Sequence, residues 1–186
     1  DEYSADAIRW GELGGGPAAL APVRSLLRAS RRTRTPLFLF LHHYLCHDPY
    51  LHAPRDIRDR FLPRPEPGLP VAAEDFPAGI DYMKRRDAFW ERIDGGNPRH
   101  REHVRGLYDG GVNFADRVFG AVVDILREEG AYDGALIVLL SDHGEEFWEH
   151  GGNTHRHLFV ETLHVPLLIK FPGGADAGRR IAQPVA

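Results

Sequence analysis

Cysteine, methionine and long apolar runs are scarce in this 186-residue chain, which contains one cysteine and one methionine. The single cysteine, Cys46, cannot form an internal disulfide. No apolar run approaches the roughly 20 residues that a membrane-spanning helix needs, so we expect no membrane as a partner.

An excess of charge of one sign is also missing. The chain carries 23 Lys and Arg residues against 27 Asp and Glu residues, for a net charge of -4. This balance gives no reason to expect a nucleic acid or an anionic surface as a partner. A hydrophobic content of 42% and a charged content of 27% are ordinary for a soluble globular protein. The length suits one well-buried domain, and we predict that residues 1–186 form a single one.

Hydrophobic periodicity predicts an α/β fold with a mostly parallel sheet and flanking helices. Continuous apolar runs of strand length are typical of buried parallel strands. Residues 51–97 are predicted as an irregular excursion that includes one short helix. The predicted helices cover residues 18–29, 80–93 and 104–129, and the predicted strands cover residues 37–41, 136–140 and 165–171.

The long predicted helix has clear signals at both ends. Asn97 suits the N-cap, Pro98 suits the first turn, and Gly130 suits the residue after the last turn. The central pair Gly110-Gly111 either weakens this helix or lets another backbone approach it closely.

The strand over residues 136–140 is followed at once by Asp142 and His143. A carboxylate oxygen and an imidazole nitrogen together suit a divalent cation. Neighbouring side chains on a strand point to opposite faces, so both can reach one ion only if the chain turns there, which Gly144 permits. A polar corner with an exposed histidine remains the alternative. Glu145 and Glu146 are interpreted as part of a solvated acidic loop or the first turn of a helix, with a role as metal ligand as the alternative.

Two further histidine groups are candidates for contact with an anionic substrate. His155, Arg156 and His157 form a cationic triplet that could donate protons and hydrogen bonds, or else an exposed basic loop. His47 projects from a turn that follows the strand over residues 37–41. Cys46 could act as a nucleophile in principle, although the sequence gives little support for that role.

Four segments in this order resemble the sulfatase branch of the alkaline phosphatase superfamily. One runs from an apolar strand into His-Asp-Pro-Tyr, one is a helix, one is a strand that ends in Ser-Asp-His-Gly-Glu, and one is a strand that ends in Phe-Pro-Gly. These segments are Leu37–Tyr50, Tyr108–Leu126, Leu136–Glu145 and His164–Gly173.

The resemblance implies an alkaline phosphatase-like α/β/α sandwich that hydrolyses sulfate esters of small molecules or glycans. It also implies one divalent metal ion, with calcium favoured over manganese or magnesium. Asp142 and His143 match two metal ligands of the family, and His47 matches a histidine that contacts the substrate's charged group. His155, Arg156 and His157 lie where the family places a lysine or histidine near the substrate's oxygens.

Two parts of the family pattern are missing from the chain: the first pair of acidic metal ligands and the nucleophile motif Cys-x-Pro-Ser-Arg or its serine counterpart. Cys46 does not fit this motif, because Pro49 stands one place late and no arginine follows. We therefore expect a fragment of a longer enzyme, truncated at both ends and binding metal weakly by itself. A phosphonate monoester or phosphodiester hydrolase, and a non-catalytic or metal-binding accessory fragment, remain alternatives.

Overall fold

The computed structural model describes residues 20–62 and 66–184. The α-helices are α1 (Ala21–Thr33), α2 (Arg55–Arg58), α3 (Tyr82–Trp90), α4 (Pro98–Glu128) and α5 (Val160–Leu163), and short 3-10 helices cover Ala73–Asp75 and Pro172–Gly174. The strands are β1 (Ile137–Leu140), β2 (Glu146–Phe147), β3 (Asn153–Thr154) and β4 (Leu167–Lys170). None of the helices in the described residues combines the length and the hydrophobicity of a membrane-spanning segment.

The 31-residue helix α4 is the central element, and its ends confirm the predicted signals. The side chain of Asn97 accepts a hydrogen bond from the backbone N–H of Arg99, and Pro98 occupies the first turn. Gly130 follows the C-cap with a φ of 66°, a conformation that glycine adopts without strain. The N-cap Asn97 lies upstream of the periodic apolar residues, so α4 begins six residues before the predicted start at residue 104.

Two buried clusters flank α4. In the first, Val23 and Leu27 of α1 pack with Val118 and Val122 of α4. The second cluster consists of Tyr50, Phe76, Phe89, Val104 and Leu107. Burial of these side chains supplies the main stabilising free energy of the fold and fixes the segment around Tyr50 against the N-terminal half of α4.

Close approach of another backbone, one of the two predicted explanations for Gly110-Gly111, accounts for Gly111 and also for Gly106. A Cβ atom at Gly111 would lie 2.7 Å from the carbonyl oxygen of Leu45, and one at Gly106 would lie 2.6 Å from that of Phe61. The glycines therefore allow the segments that contain Leu45 and Phe61 to lie directly on the helix.

The predicted mostly parallel sheet is not found within residues 20–62 and 66–184. The predicted strands over residues 136–140 and 165–171 form as β1 and β4, but they pair antiparallel with each other. β2 and β3 form a second antiparallel pair. A parallel pair needs a crossover connection, usually a helix, between its strands. Here only about 26 residues, which contain the small β2–β3 pair and α5, connect β1 to β4, and the two strands pair antiparallel.

The predicted strand over residues 37–41 is not assigned as a strand. Its side chains alternate instead: Phe38 and Phe40 are 88% and 75% exposed, whereas Leu39 and Leu41 pack against the first buried cluster. The segment thus packs on one side only, which a continuous apolar run does not reveal.

The described parts of residues 51–97 contain α2, and α3 lies within the short helix predicted over residues 80–93. Besides α2 and α3, this stretch contributes the fully buried side chains of Ile57 and Phe89 to the two clusters. Its apolar residues are widely spaced, so the anchoring positions show no periodicity in the sequence.

Candidate active site

Three histidines that lie in two separate sequence clusters come together in the structure. The ring centroids of His143 and His155 are 4.0 Å apart, with an angle of 31° between the planes. The centroids of His47 and His155 are 5.6 Å apart. His47 follows the segment 37–41, whereas His143 and His155 flank the β2–β3 pair. The fold therefore assembles one histidine cluster from both predicted groups.

Each of these imidazoles is anchored through its Nδ1 atom. Nδ1 of His143 lies 2.8 Å from the carbonyl oxygen of Gly144, and Nδ1 of His155 lies 2.8 Å from Oε1 of Glu145. Nδ1 of His47 lies 3.0 Å from Oδ1 of Asp48. Carbonyl and carboxylate oxygens only accept, so Nδ1 carries the proton, and Nε2 holds the lone pair of the neutral ring. Such anchoring fixes the tautomer of histidines that bind metals or transfer protons.

Asp142 and His143 present their ligand atoms close together. Oδ1 of Asp142 lies 3.8 Å from Nε2 of His143, and the two side chains are 74% and 32% exposed. One divalent ion bound about 2.1–2.5 Å from each atom spans this separation. The donor set of a carboxylate oxygen and an imidazole nitrogen therefore fits the expected metal.

Gly144 permits this arrangement by its small size. Its N–H donates a 2.8 Å hydrogen bond to the carbonyl oxygen of Thr162. A Cβ atom at this position would lie 2.1 Å from the carbonyl oxygen of Glu161. The backbone at the start of α5 thus packs directly against the turn that follows Asp142.

Glu145 is a buried member of the site, which corrects its interpretation as part of a solvated loop. Its side chain is 4% exposed. Oε2 accepts a 2.7 Å hydrogen bond from the hydroxyl of Tyr50, and Oε1 accepts from Nδ1 of His155. The sequence gives no sign of this, because the donors lie 95 and 10 residues away.

The interpretation of Glu146 is also wrong, because this side chain is fully buried in β2. Its Oε1 accepts from the backbone N–H groups of His150 and Gly152, and its Oε2 lies 3.1 Å from Nδ1 of His157. His157, predicted as catalytic, is thus directed to the β2–β3 turn. Within the described ranges its ring centroid lies 5.6 Å from that of Phe159, with the planes tilted by 52°, and the ring makes no contact with the rings of the other site histidines.

Arg156 lies beside the histidine cluster rather than in it. It lines a cleft of about 380 Å³ together with Arg86, Trp90 and Asn153. Its side chain is exposed, and it makes no ion pair with any residue in the described part of the chain. A free guanidinium in this position can contact an anionic or hydroxyl-bearing part of a ligand that extends away from the histidines.

A possible second metal-binding group overlaps the first. Ligand atoms of His143, Glu145 and His155 lie within 4.8 Å of one another. However, Glu145 and His155 already bind each other, and Tyr50 takes the second oxygen of the carboxylate. Glu145 therefore acts as a hydrogen-bond acceptor, whereas Oδ1 of Asp142 and Nε2 of His143 remain a pair with the donor set and spacing that fit a divalent ion.

The thiol of Cys46 is unsuited to nucleophilic attack. Burial raises the pKa of Cys46 to about 11, so the thiol stays protonated at neutral pH. This agrees with the sequence, in which Cys46 does not fit the nucleophile motif.

Comparison with known proteins agrees with the resemblance in sequence. The chain is 29% identical over 161 residues to the multifunctional alkaline phosphatase superfamily protein PehA of Trinickia caryophylli, which is 81% of this chain and 31% of that protein. It is 31% identical over 84 residues to arylsulfatase K of Danio rerio, covering 45% of this chain and 16% of the relative. It is 30% identical over 78 residues to an endo-4-O-sulfatase of Bacteroides thetaiotaomicron, covering 41% of this chain and 15% of the relative.

The matched segments thus span about a third or less of the length of these curated relatives. A family model described as Sulfatase matches residues 19–186, which is most of the chain. The chain belongs to the sulfatase family.

Proposed function

We propose that this chain supplies the metal-binding and proton-donating side of an active site that hydrolyses sulfate esters. The observation that carries the proposal is the convergence of His47, His143 and His155, each anchored through Nδ1. Relatives named as sulfatases support the choice of a sulfate ester of a small molecule or glycan as substrate.

In this proposal Asp142 and His143 hold one divalent ion, with calcium favoured and manganese or magnesium as alternatives. The ion supplies positive charge that polarises the ester oxygens. Two ligands leave most of a six- to eight-coordinate shell open, so further ligands come from outside this pair. We also propose that the protein is longer than this chain, that its catalytic domain is an α/β/α sandwich, and that the nucleophile lies outside residues 1–186.

His47 and His155 act on the anion and on the leaving group. The nucleophile from outside residues 1–186 forms a bond to sulfur as the S–O bond to the alcohol breaks, and the departing oxygen takes a proton from Nε2 of the imidazolium form of His155. In its protonated form His47 donates a hydrogen bond from Nε2 to a sulfate oxygen, which stabilises charge in the transition state. Arg156, in the adjacent cleft, contacts the part of the substrate beyond the ester. We keep His157 as a weaker catalytic candidate, because its Nδ1 is bound to Glu146.

The test uses the full-length natural protein, with 4-nitrophenyl sulfate as substrate and calcium or manganese in the buffer. We expect His155→Gln and Asp142→Asn each to lower kcat/KM by about 100-fold or more. Asp116→Asn, an exposed aspartate on α4, is the matched control and should keep full activity. Unchanged activity in Asp142→Asn would contradict the metal assignment.

A phosphonate monoester or phosphodiester hydrolase is the second candidate. It is favoured because the multifunctional alkaline phosphatase superfamily relative matches 81% of the chain, whereas the sulfatase-named relatives match less than half. Comparing kcat/KM for 4-nitrophenyl sulfate, 4-nitrophenyl phenylphosphonate and bis-4-nitrophenyl phosphate in the same protein decides between them. Metal binding without turnover of any of the three would favour the non-catalytic, accessory role.

Calorimetric titration with calcium or manganese distinguishes the two possible ligand sets. Asp142→Asn should weaken binding strongly, whereas His155→Gln should change it little if Asp142 and His143 are the ligands. The reverse order would move the metal to His143, Glu145 and His155.

A further inference from the structure

We propose that Asp48 is a positioning residue that orients His47 in the site, and that Arg86 and Trp90 hold Asp48 for this task. The inference rests on the proposed role of His47. Arg86 and Trp90 lie on α3, a helix in which the sequence motifs gave no candidate site residue. The inference therefore adds α3 to the elements that form the site.

The geometry around Asp48 is that of a carboxylate with both oxygens in use. The residue is fully buried. Its Oδ2 accepts from Nε of Arg86 at 2.6 Å and from Nε1 of Trp90 at 3.0 Å, and its Oδ1 lies 3.0 Å from Nδ1 of His47. Because two donors from α3 converge on one oxygen, the other oxygen is aimed at the histidine.

Tyr82, also on α3, provides a second contact to the same ring nitrogen. Its hydroxyl donates a 2.6 Å hydrogen bond to the carbonyl oxygen of Asp48, and its oxygen lies 2.9 Å from Nδ1 of His47. The Nδ1 atom of His47 therefore has three oxygens within 3.0 Å, namely Oδ1 and the carbonyl oxygen of Asp48 and the hydroxyl of Tyr82, and these contacts favour one orientation of the ring. Nε2 is left as the nitrogen that faces a ligand.

The charges agree with this arrangement. The hydrogen bond to Asp48 raises the pKa of His47, against the opposing effect of burial. Burial alone would raise the pKa of Asp48, but hydrogen bonds from His47, Trp90 and Arg86 outweigh it, and the pKa lies well below its usual range. The histidine is thus the partner of a permanent carboxylate and keeps its proton to higher pH.

Other titratable groups also surround His47 and contribute to its titration. From its own segment these are Tyr44, Asp48 and His52, from α3 they are Tyr82 and Arg86, and from the loops around β2 and β3 they are Glu145 and His155.

Replacing Asp48 by asparagine tests the role of the charge with little change of shape. Arg86 and Trp90 donate to one oxygen, so they hold the amide oxygen of the asparagine on their side. The amide NH₂ then faces Nδ1 of His47, so the ring loses its charged acceptor and keeps only the neutral contacts to the carbonyl oxygen of residue 48 and to Tyr82. We expect the pKa of His47, followed by NMR, to fall, and kcat to drop by about 100-fold with KM changed less than kcat.

A second variant has the opposite effect on the titration. Arg86→Gln removes the positive charge that partly neutralises the Asp48 carboxylate. The carboxylate then stabilises protonated His47 more strongly, so the pKa of His47 should rise. This variant keeps the test decisive where Asp48→Asn does not fold. Asp116→Asn is the control in both measurements and should leave both the pKa and kcat unchanged.

The two proposals fail in different ways. No turnover by the unaltered protein would overturn the proposed function. The NMR titration would still show whether Asp48 controls the pKa of His47. An unchanged pKa of His47 in folded Asp48→Asn and in Arg86→Gln would overturn the positioning role, whatever the activity. An equal loss of kcat in the variants without any shift of the titration would also overturn it.

Discussion

The hydroxyl of Tyr50 donates a 2.7 Å hydrogen bond to Oε2 of Glu145, which lies 95 residues further along the chain. Tyr50 is fully buried, and the Glu145 side chain is nearly so. The second oxygen of Glu145 accepts from His155. This one carboxylate therefore joins the turn after His47 to the loop after β1 and connects the two halves of the histidine cluster.

Tyr50→Phe should destabilise the protein without changing its packing. The substitution leaves a buried carboxylate oxygen without its donor, which costs about 1–3 kcal/mol in the free energy of unfolding. Tyr132→Phe is the matched control, since the Tyr132 hydroxyl has no hydrogen bond to the described residues, and it should change stability little. Urea unfolding of both variants makes the measurement, and equal stabilities would contradict the importance of the Tyr50–Glu145 bond.

Two glycines of α4 should respond to alanine with opposite signs. Gly111→Ala places a methyl group 2.7 Å from the carbonyl oxygen of Leu45 and should destabilise the protein by about 1–3 kcal/mol. Gly120→Ala meets no atom within 4 Å and should stabilise it by about 0.5–1 kcal/mol through helix propensity. Thermal unfolding compares the two, and a stabilising Gly111→Ala would show that the helix does not contact the Leu45 segment.

Stability should fall in acid through Asp48. Its pKa is lower in the folded state than the value near 3.9 of the unfolded chain. The folded state therefore resists protonation, and the stabilisation is present above about pH 4 and is lost as the pH falls further. Urea unfolding at pH 7 and pH 3 should show a smaller decrease for Asp48→Asn than for the unaltered protein. An equal decrease of the free energy of unfolding in the two proteins would show that groups other than Asp48 cause the acid sensitivity.

Cys46 should react slowly with alkylating reagents in the native protein. Burial raises its pKa to about 11, so the thiolate is rare at pH 7.5. Mass spectrometry after iodoacetamide treatment should show little modification in buffer and rapid modification in concentrated urea. Rapid native labelling would return Cys46 to the candidates for a nucleophile.

The sequence alone determined the long helix α4, the positions of β1 and β4, and the family. A helix is set by side chains within a few turns, which is why Asn97, Pro98 and Gly130 marked the ends of α4 correctly. The turn after β1 and the histidines around it were recognisable because they lie in short contiguous motifs. The order of these motifs carried the family, which the comparison confirmed for residues 19–186.

Only the tertiary structure decided which polar residues belong to the site. Buried hydrogen bonds join partners far apart in the chain, as Asp48 joins Trp90 and Glu145 joins Tyr50. From the sequence alone a carboxylate is expected to be exposed to solvent, because the spacing of residues does not show which distant groups donate hydrogen bonds to it. Strand pairing is likewise a relation between distant segments, so the antiparallel partner of β1 and the one-sided packing of residues 37–41 appeared only in the folded chain.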